Sequence, residues 1–193
     1  MRRSRSARSV TAVELDRKLF PALENVLAPY KNVRLVQGDI LKLDPAELME
    51  TPGYVVVANI PYYITSMVIR HLLEADPRPR RVVLTVQKEV AERICASEGK
   101  MSLLALSVQV YGKPVIGAII PADAFYPSPK VDSAVLCIEI FSQPVIPAEH
   151  LELFFSLIKA GFSQKRKTLR NALSGGLRIT SNESEDLLSL AGI

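Results

Sequence analysis

Histidine and cysteine are scarce in this chain of 193 residues. There are two histidines, His71 and His150, and two cysteines, Cys95 and Cys137. The cysteines stand far apart, with no C-x-x-C pair and no zinc-like spacing, so neither a metal centre nor a disulfide framework is expected. A chain of this length buries a core without such staples, and the default compartment is the reducing cytoplasm. Two histidines leave little material for base chemistry, and both read as ordinary surface or core residues. Long apolar runs are missing too. None reaches the roughly 18 residues that span a bilayer, so no membrane partner is expected. The start, MRRSRSARSV, is basic but has no apolar stretch behind it, which argues against a secretory signal. The VTAVELD that follows reads as folded core, which argues against a transit peptide. Residues 1–9 read as a disordered basic start.

Net charge is +4, which alone says little. Its distribution says more. Arg2, Arg3, Arg5 and Arg8 crowd the start, and Lys159, Lys165, Arg166, Lys167 and Arg170 crowd one later segment. Clustered cations suit a polyanion, most simply nucleic acid. A solvated basic helix explains the same residues equally well.

Short runs rich in Val and Ile recur. VTAVE (10–14), VRLVQ (33–37), YVVVAN (54–59) and RVVLTVQ (81–87) predict strands. They are continuous rather than alternating, which suits a parallel sheet covered on both faces. DRKLFPALENVLAPY, PAELMET and SMVIRHLLEAD lie between them and predict helices. Strand–helix alternation of this kind argues for a doubly wound α/β fold. SLLALSVQVYG fits helix or strand, while VIGAIIP and SAVLCIEIF predict an antiparallel hairpin at the sheet edge. After SQPVIP the texture changes. HLELFFSLIKAGF and KRKTLRNAL predict two helices, with Gly175 and Gly176 as the stop. Two prolines near 142–147 mark the boundary between an α/β domain, 10–143, and a helical domain, 144–193.

Ligands of open parallel sheets bind beyond the carboxyl ends of the strands. Three predicted strands end in polar residues: Glu14, then Gly38 and Asp39, then Asn59 and Pro61. A carboxylate after such a strand accepts hydrogen bonds from ribose hydroxyls, which suits Glu14. Asp39 suits the exocyclic amine of a cofactor adenine, with Ile40 and Leu41 against the ring. Either acid could instead be a helix cap; together on one rim they favour a site.

The tetrad Asn59-Ile60-Pro61-Tyr62 ends the most apolar of these runs. An aryl amine is a poor nucleophile, because its lone pair is delocalised into the ring. Two acceptors holding its hydrogens, one the Asn59 amide and one a backbone carbonyl fixed by Pro61, favour a pyramidal nitrogen with an exposed lone pair. Tyr62 offers a stacking face, worth roughly 1–3 kcal/mol per base. Such a site transfers a methyl group mostly by positioning. A plain strand and proline turn is the bland alternative. Downstream, AFYPSPKVDSAV (124–135) holds Phe125 and Tyr126 on a proline-stiffened loop with Lys130 beside them. That loop could close the other face of an extruded base, or simply plug a turn.

VTAVELD, VQGDIL, VVVANIPYYIT, VQKEVAERI, AFYPSPKVDSAV and AGFSQKRKTLRNAL, in this order, closely resemble the ribosomal RNA adenine dimethyltransferase family. The resemblance runs from Val10 almost to the end. It implies a Rossmann-like class I methyltransferase sheet with a small α-helical C-terminal domain. It implies S-adenosylmethionine as methyl donor and two adjacent adenines of small-subunit rRNA as target. Glu14 would bind the cofactor ribose, Asp39 and Ile40 its adenine, and Asn59 would lie between cofactor and target amine. Tyr62 and Phe125 would sandwich the base. Lys130 and a basic helix carrying Lys165, Arg166, Lys167 and Arg170 would face rRNA phosphates on the assembling small subunit, with the protein acting as a monomer.

The family begins with a strand, a G-x-G-x-G loop and a helix ahead of the segment matching VTAVE. Here no glycine precedes Gly38. The resemblance therefore implies a chain clipped at both ends, with one central strand missing from the sheet, unpaired strand edges and weak or no cofactor binding. Two further readings stay open: a subunit-binding fragment that performs no chemistry, and a large-subunit rRNA adenine methyltransferase of the antibiotic-resistance type. A DNA adenine methyltransferase is disfavoured, since nothing resembles a target-recognition domain.

Overall fold

The computed structural model describes residues 7–49 and 52–193. Elements follow in the order β1 (Val10–Glu14), α1 (Phe20–Leu27), β2 (Val33–Gln37), α2 (Pro45–Leu48), β3 (Val55–Asn59), α3 (Thr65–Glu74), β4 (Arg81–Gln87), α4 (Lys88–Ile94), α5 (Leu103–Gln109), β5 (Gly112–Ile120), β6 (Ser133–Ile140), α6 (Leu151–Phe162), α7 (Leu169–Leu177) and α8 (Ser181–Leu190). The four predicted strands are all present. The expected end of the second helical segment, residues 50 and 51, and most of the basic start, residues 1–6, lie outside the described residues. Within that start, the carbonyl of Ala7 accepts the side-chain amide of Asn32.

The strands form two sheets. β1 and β2 pair in parallel, with Glu14 opposite Gln37. The second sheet has the order β3-β4-β6-β5, parallel between β3 and β4 and antiparallel thereafter. Among the described residues β1 and β3 do not pair, so each presents an unpaired edge. The expected antiparallel pairing of VIGAIIP and SAVLCIEIF is present, but only β5 is at an edge; β6 lies between β4 and β5.

The core sits on the four-stranded sheet. Val82, Leu84 and Val86 of β4 are buried and lie opposite Ile138, Leu136 and Ala134 of β6. Val68, Ile69, Leu72 and Leu73 make one helical stripe of α3 and cover the same cluster, with Ile94 and Val108 from α4 and α5. The predicted two-sided burial fails at β3. Val55, Val57 and Asn59 are exposed, while Val56 and Ala58 pack against the core. Val55 and Val57 point to the face opposite Val56 and Ala58, and that face of β3 stays open to solvent.

The ambiguous segment 102–112 resolves into a helix followed by the first residue of β5. Ser102 decides it, its hydroxyl accepting the Ala105 N–H at the start of α5. α6 packs Leu151, Phe154 and Phe155 against the core, and Phe155 stacks on Tyr111. The predicted helix KRKTLRNAL begins later than expected. Thr168 caps it, accepting from Asn171 N–H, so α7 starts at Leu169. Gly175 and Gly176 do not stop it. They lie inside α7, and a Cβ on Gly176 would come within 2.5 Å of the Ala160 Cβ. Glycine is needed there because α6 and α7 cross in contact. The stop is Arg178, in the left-handed conformation at φ 59°. α8, which the sequence reading did not assign, opens on a reciprocal cap between Thr180 and Glu183. Among the described residues no helix is long and apolar enough to cross a membrane.

Candidate active site

Glu14 is the last residue of β1. Its Oε1 accepts the Asp16 N–H at 2.8 Å, and its own carbonyl accepts the Gly38 N–H across to the end of β2. A Cβ on Gly38 would meet the Leu43 Cδ1 at 2.8 Å, so a larger residue there would push that side chain aside. Asp39 follows at once. Its Oδ1 accepts the Leu41 N–H at 3.0 Å, and its carbonyl accepts from Lys42 and Leu43. Both acids thus spend one carboxylate oxygen on their own loop, which orients the group, and among the described residues the second oxygen of each has no partner. Ile40 and Leu41 turn towards the buried cluster, so they offer a ligand only the part of their surface that the core leaves open.

Beyond the packing of Ile40 and Leu41, a polar contact ties this small sheet to the larger one: His71 Nε2 of α3 lies 3.0 Å from the Leu43 carbonyl. Burial, and secondarily the Asp44 carboxylate, push the Tyr54 phenol up.

Asn59 ends β3, and its amide is exposed without a protein partner among the described residues. Pro61 opens a tight turn over Tyr62–Ile64, and its carbonyl accepts the Ile64 N–H at 3.1 Å. The Pro61 carbonyl is therefore used within the turn. Among the described residues the Ile60 carbonyl has no such partner, and it is the backbone acceptor beside Asn59. Tyr62 is half-buried, and its hydroxyl lies 2.6 Å from the Ser133 Oγ. Phe125 is half-buried at the end of a short turn, while Tyr126 beside it is fully exposed.

The loop carrying Phe125 is closed by its own polar groups. Asp132 Oδ1 accepts the Ala122 N–H, Ser128 Oγ donates to the Ala122 carbonyl, and the Asp132 carbonyl accepts the Lys88 N–H. Lys130 is exposed and lines a polar cavity of about 490 Å³ with Lys88, Glu92 and Asp132. A second cavity of about 760 Å³ lies between α3, α5 and α6, and none of the residues predicted for the site lines it.

The expected basic helix is corrected in one respect. Lys165, Arg166 and Lys167 are exposed, but they sit in the turn before α7, since the Thr168 cap delays the helix. Only Arg170 is on α7, and it is paired with Glu185 of α8 at 3.1 Å. Among the described residues no carboxylate pairs with Lys165, Arg166 or Lys167. No group of three or more His, Cys, Asp or Glu stands together as metal ligands among the described residues. Asp132 and Ser133 have no role predicted from the sequence, and the acceptor carbonyl expected near Pro61 is that of Ile60. The V-D-S of AFYPSPKVDSAV was the available signal, but its partners lie tens of residues away.

The model of the ribosomal RNA adenine dimethylase family matches residues 3–190. The chain belongs to this family. It is 46% identical over 188 residues to the ribosomal RNA small subunit methyltransferase A of Dehalococcoides mccartyi strain 195, covering 97% of this chain and 65% of that protein. It is 43% identical over 195 residues to the Moorella thermoacetica protein of the same name, covering 95% and 67%. Among solved structures, the 23S rRNA methyltransferase ErmE superposes with a TM-score of 0.74 at 27% identity, over 88% of this chain and 68% of that one. A dimethyladenosine transferase from Plasmodium falciparum superposes with a TM-score of 0.69 at 29% identity, over 87% and 60%. The fold is the Rossmann-like sheet of class I methyltransferases, followed by C-terminal helices. This dimethylase-family chain spans about two thirds of the length of the curated relatives it matches.

Proposed function

We propose that this chain carries the active face of an rRNA adenine N6,N6-dimethyltransferase. It would act as a cytoplasmic monomer on two adjacent adenines of small-subunit rRNA during assembly. The observation that carries this reading is the turn at the end of β3. There an exposed amide (Asn59) and an unused carbonyl (Ile60) stand beside an anchored aromatic ring (Tyr62). Two acceptors suit the two hydrogens of an adenine N6 amine. Holding both in place leaves the nitrogen lone pair as the group that points onward. Stacking on Tyr62, with Phe125 on the opposite face, keeps the base in register, and the rate gain comes from orientation. No residue near the turn has to act as a strong base.

The donor set also fits S-adenosylmethionine. The unpartnered oxygens of Glu14 and Asp39 are acceptors at the ends of neighbouring parallel strands, matched to a ribose diol and an adenine amine. When bound, that cofactor supplies an electrophilic methyl group. Lys130, Lys165, Arg166 and Lys167 are exposed cations suited to phosphates, which dominate nucleic-acid affinity and make it salt-dependent.

The higher identity to small-subunit enzymes than to ErmE favours the small-subunit target. One observation favours a second reading, a subunit-binding chain without transfer: Glu14 and Asp39 sit on a sheet that does not pair with β3. Transfer of labelled methyl groups to unmethylated small subunits decides between them. Transfer to adenine that falls about 100-fold or more in Asn59→Ala supports the enzyme. Binding to subunits without transfer supports the second reading. Transfer that survives Asn59→Ala unchanged overturns the assignment of the turn.

A further inference from the structure

Ser133 is the first residue of β6, with no exposed surface, and it is in register with Gln87 of β4 and Ile120 of β5. A buried hydroxyl needs a partner. Here that partner is the hydroxyl of Tyr62, 71 residues earlier in the chain, at 2.6 Å. Tyr62 is thereby held at both ends. Pro61 and its turn fix the backbone, and Ser133 fixes the far tip of the ring. What remains for a ligand is the part of the ring that the half-burial of Tyr62 leaves open.

Asp132, the neighbour of Ser133, holds two other pieces. Its carboxylate takes the Ala122 N–H at the root of the Phe125 loop, and its carbonyl takes the first N–H of α4. One dipeptide therefore sets the position of both aromatic plates relative to the rigid four-stranded sheet.

We infer that Ser133 is a positioning residue for the target base, acting through Tyr62 to hold the stacking face at a fixed distance from the Phe125 loop. This rests on the proposed role of Tyr62 as a stacking surface. The competing view is that Tyr62 merely satisfies a buried hydroxyl, with no consequence for the base.

The two views part in a binding experiment that needs no turnover. An RNA hairpin with two adjacent loop adenines, one replaced by 2-aminopurine, is titrated with the protein. Anisotropy reports binding of the RNA, and quenching of 2-aminopurine reports stacking on an aromatic ring. Ser133→Ala and Tyr62→Phe both remove the shared hydrogen bond and keep the ring. Tyr62→Phe keeps the Ser133 side chain in place and so separates loss of the hydrogen bond from truncation of the buried residue; because it leaves the Ser133 hydroxyl unpaired, its melting temperature is measured alongside.

Each variant is expected to lower the quench two- to tenfold, about what one neutral hydrogen bond is worth in population. The double variant should lose no more than either single one. RNA affinity by anisotropy, set mainly by phosphate contacts, should fall by less than the quench does. Native quenching in both variants overturns the inference, as do additive losses. So does an equal fall in quench and affinity with a lowered melting temperature, because that marks a merely structural role. A native protein that gives no quench overturns the base-pocket reading itself, and this inference with it.

Discussion

The two sheets are built to different standards. In the four-stranded sheet and the helices on it, β4, β6, α3 and α5 all contribute side chains with almost no exposed surface. In the β1–β2 sheet no strand residue is buried, and α1 buries none of its side chains. Asn59, Tyr62 and Ser133 belong to the first; Glu14 and Asp39 belong to the second. The acceptors assigned to the target amine thus rest on a close-packed frame. Those assigned to the cofactor rest on a thin layer tied down by single contacts such as His71 to Leu43. Precision at the turn is supplied by the core, whereas precision at the two acids is supplied by their own loops.

The largest effect should come from cutting into the packed frame. Leu136→Ala removes a fully buried side chain facing Leu84 and is expected to cost about 2–5 kcal/mol. Val36→Ala in β2 is only half-buried and should cost about 1 kcal/mol or less, in proportion to the smaller apolar area lost. Urea denaturation of both variants measures the difference, and equal losses would dissolve the contrast. Hydrogen exchange sharpens it: amides of β4 and β6 should open only with global unfolding, and those of β1 and β2 at a lower free energy.

Gly176→Ala extends the comparison to the C-terminal helices. The added methyl meets the Cβ and Cα of Ala160 at 2.5 and 2.6 Å, so α7 has to move off α6. The expected cost is about 1–3 kcal/mol, read as a lower unfolding midpoint, while Gly175→Ala at an exposed position should be milder.

The smallest effect concerns acid. Hydrogen bonds from the Thr180 backbone N–H, and then from its hydroxyl, hold the exposed Glu183 carboxyl below the usual glutamate range. A depressed folded value means the contribution to α8 is complete above the unfolded value and is lost as pH falls through the folded one. Acidification below the usual glutamate range should therefore fray α8 in the native chain. Glu183→Gln, followed by circular dichroism across the same window, should show less pH dependence there.

The strands were legible because Val and Ile runs leave few alternatives, and their polar ends pointed to Glu14, Asp39 and Asn59. Other features were hidden for physical reasons. Gly175 and Gly176 look like a stop until α6 is seen pressing on them, which is a tertiary fact. The Thr168 cap outweighed the run of cations before it, and Ser102 settled a segment whose apolar pattern fits either period. The exposure of Val55 and Val57 depends on what packs over their face of β3, which no local pattern shows. Which carbonyl beside Asn59 is open was settled only by the turn, which consumes that of Pro61, and the anchoring of Tyr62 was invisible because Ser133 is so distant in sequence.

Arg170 behaves unlike its cationic neighbours. It is already engaged with Glu185, and its carbonyl accepts the buried Ser184 hydroxyl. A phosphate that recruits its guanidinium has to outcompete a carboxylate, so the net return is the difference between two similar attractions. That exchange leaves Glu185 facing the incoming polyanion with its own charge uncovered. Under the proposed function, Glu185→Gln should therefore strengthen RNA binding, read as a lower Kd at fixed salt.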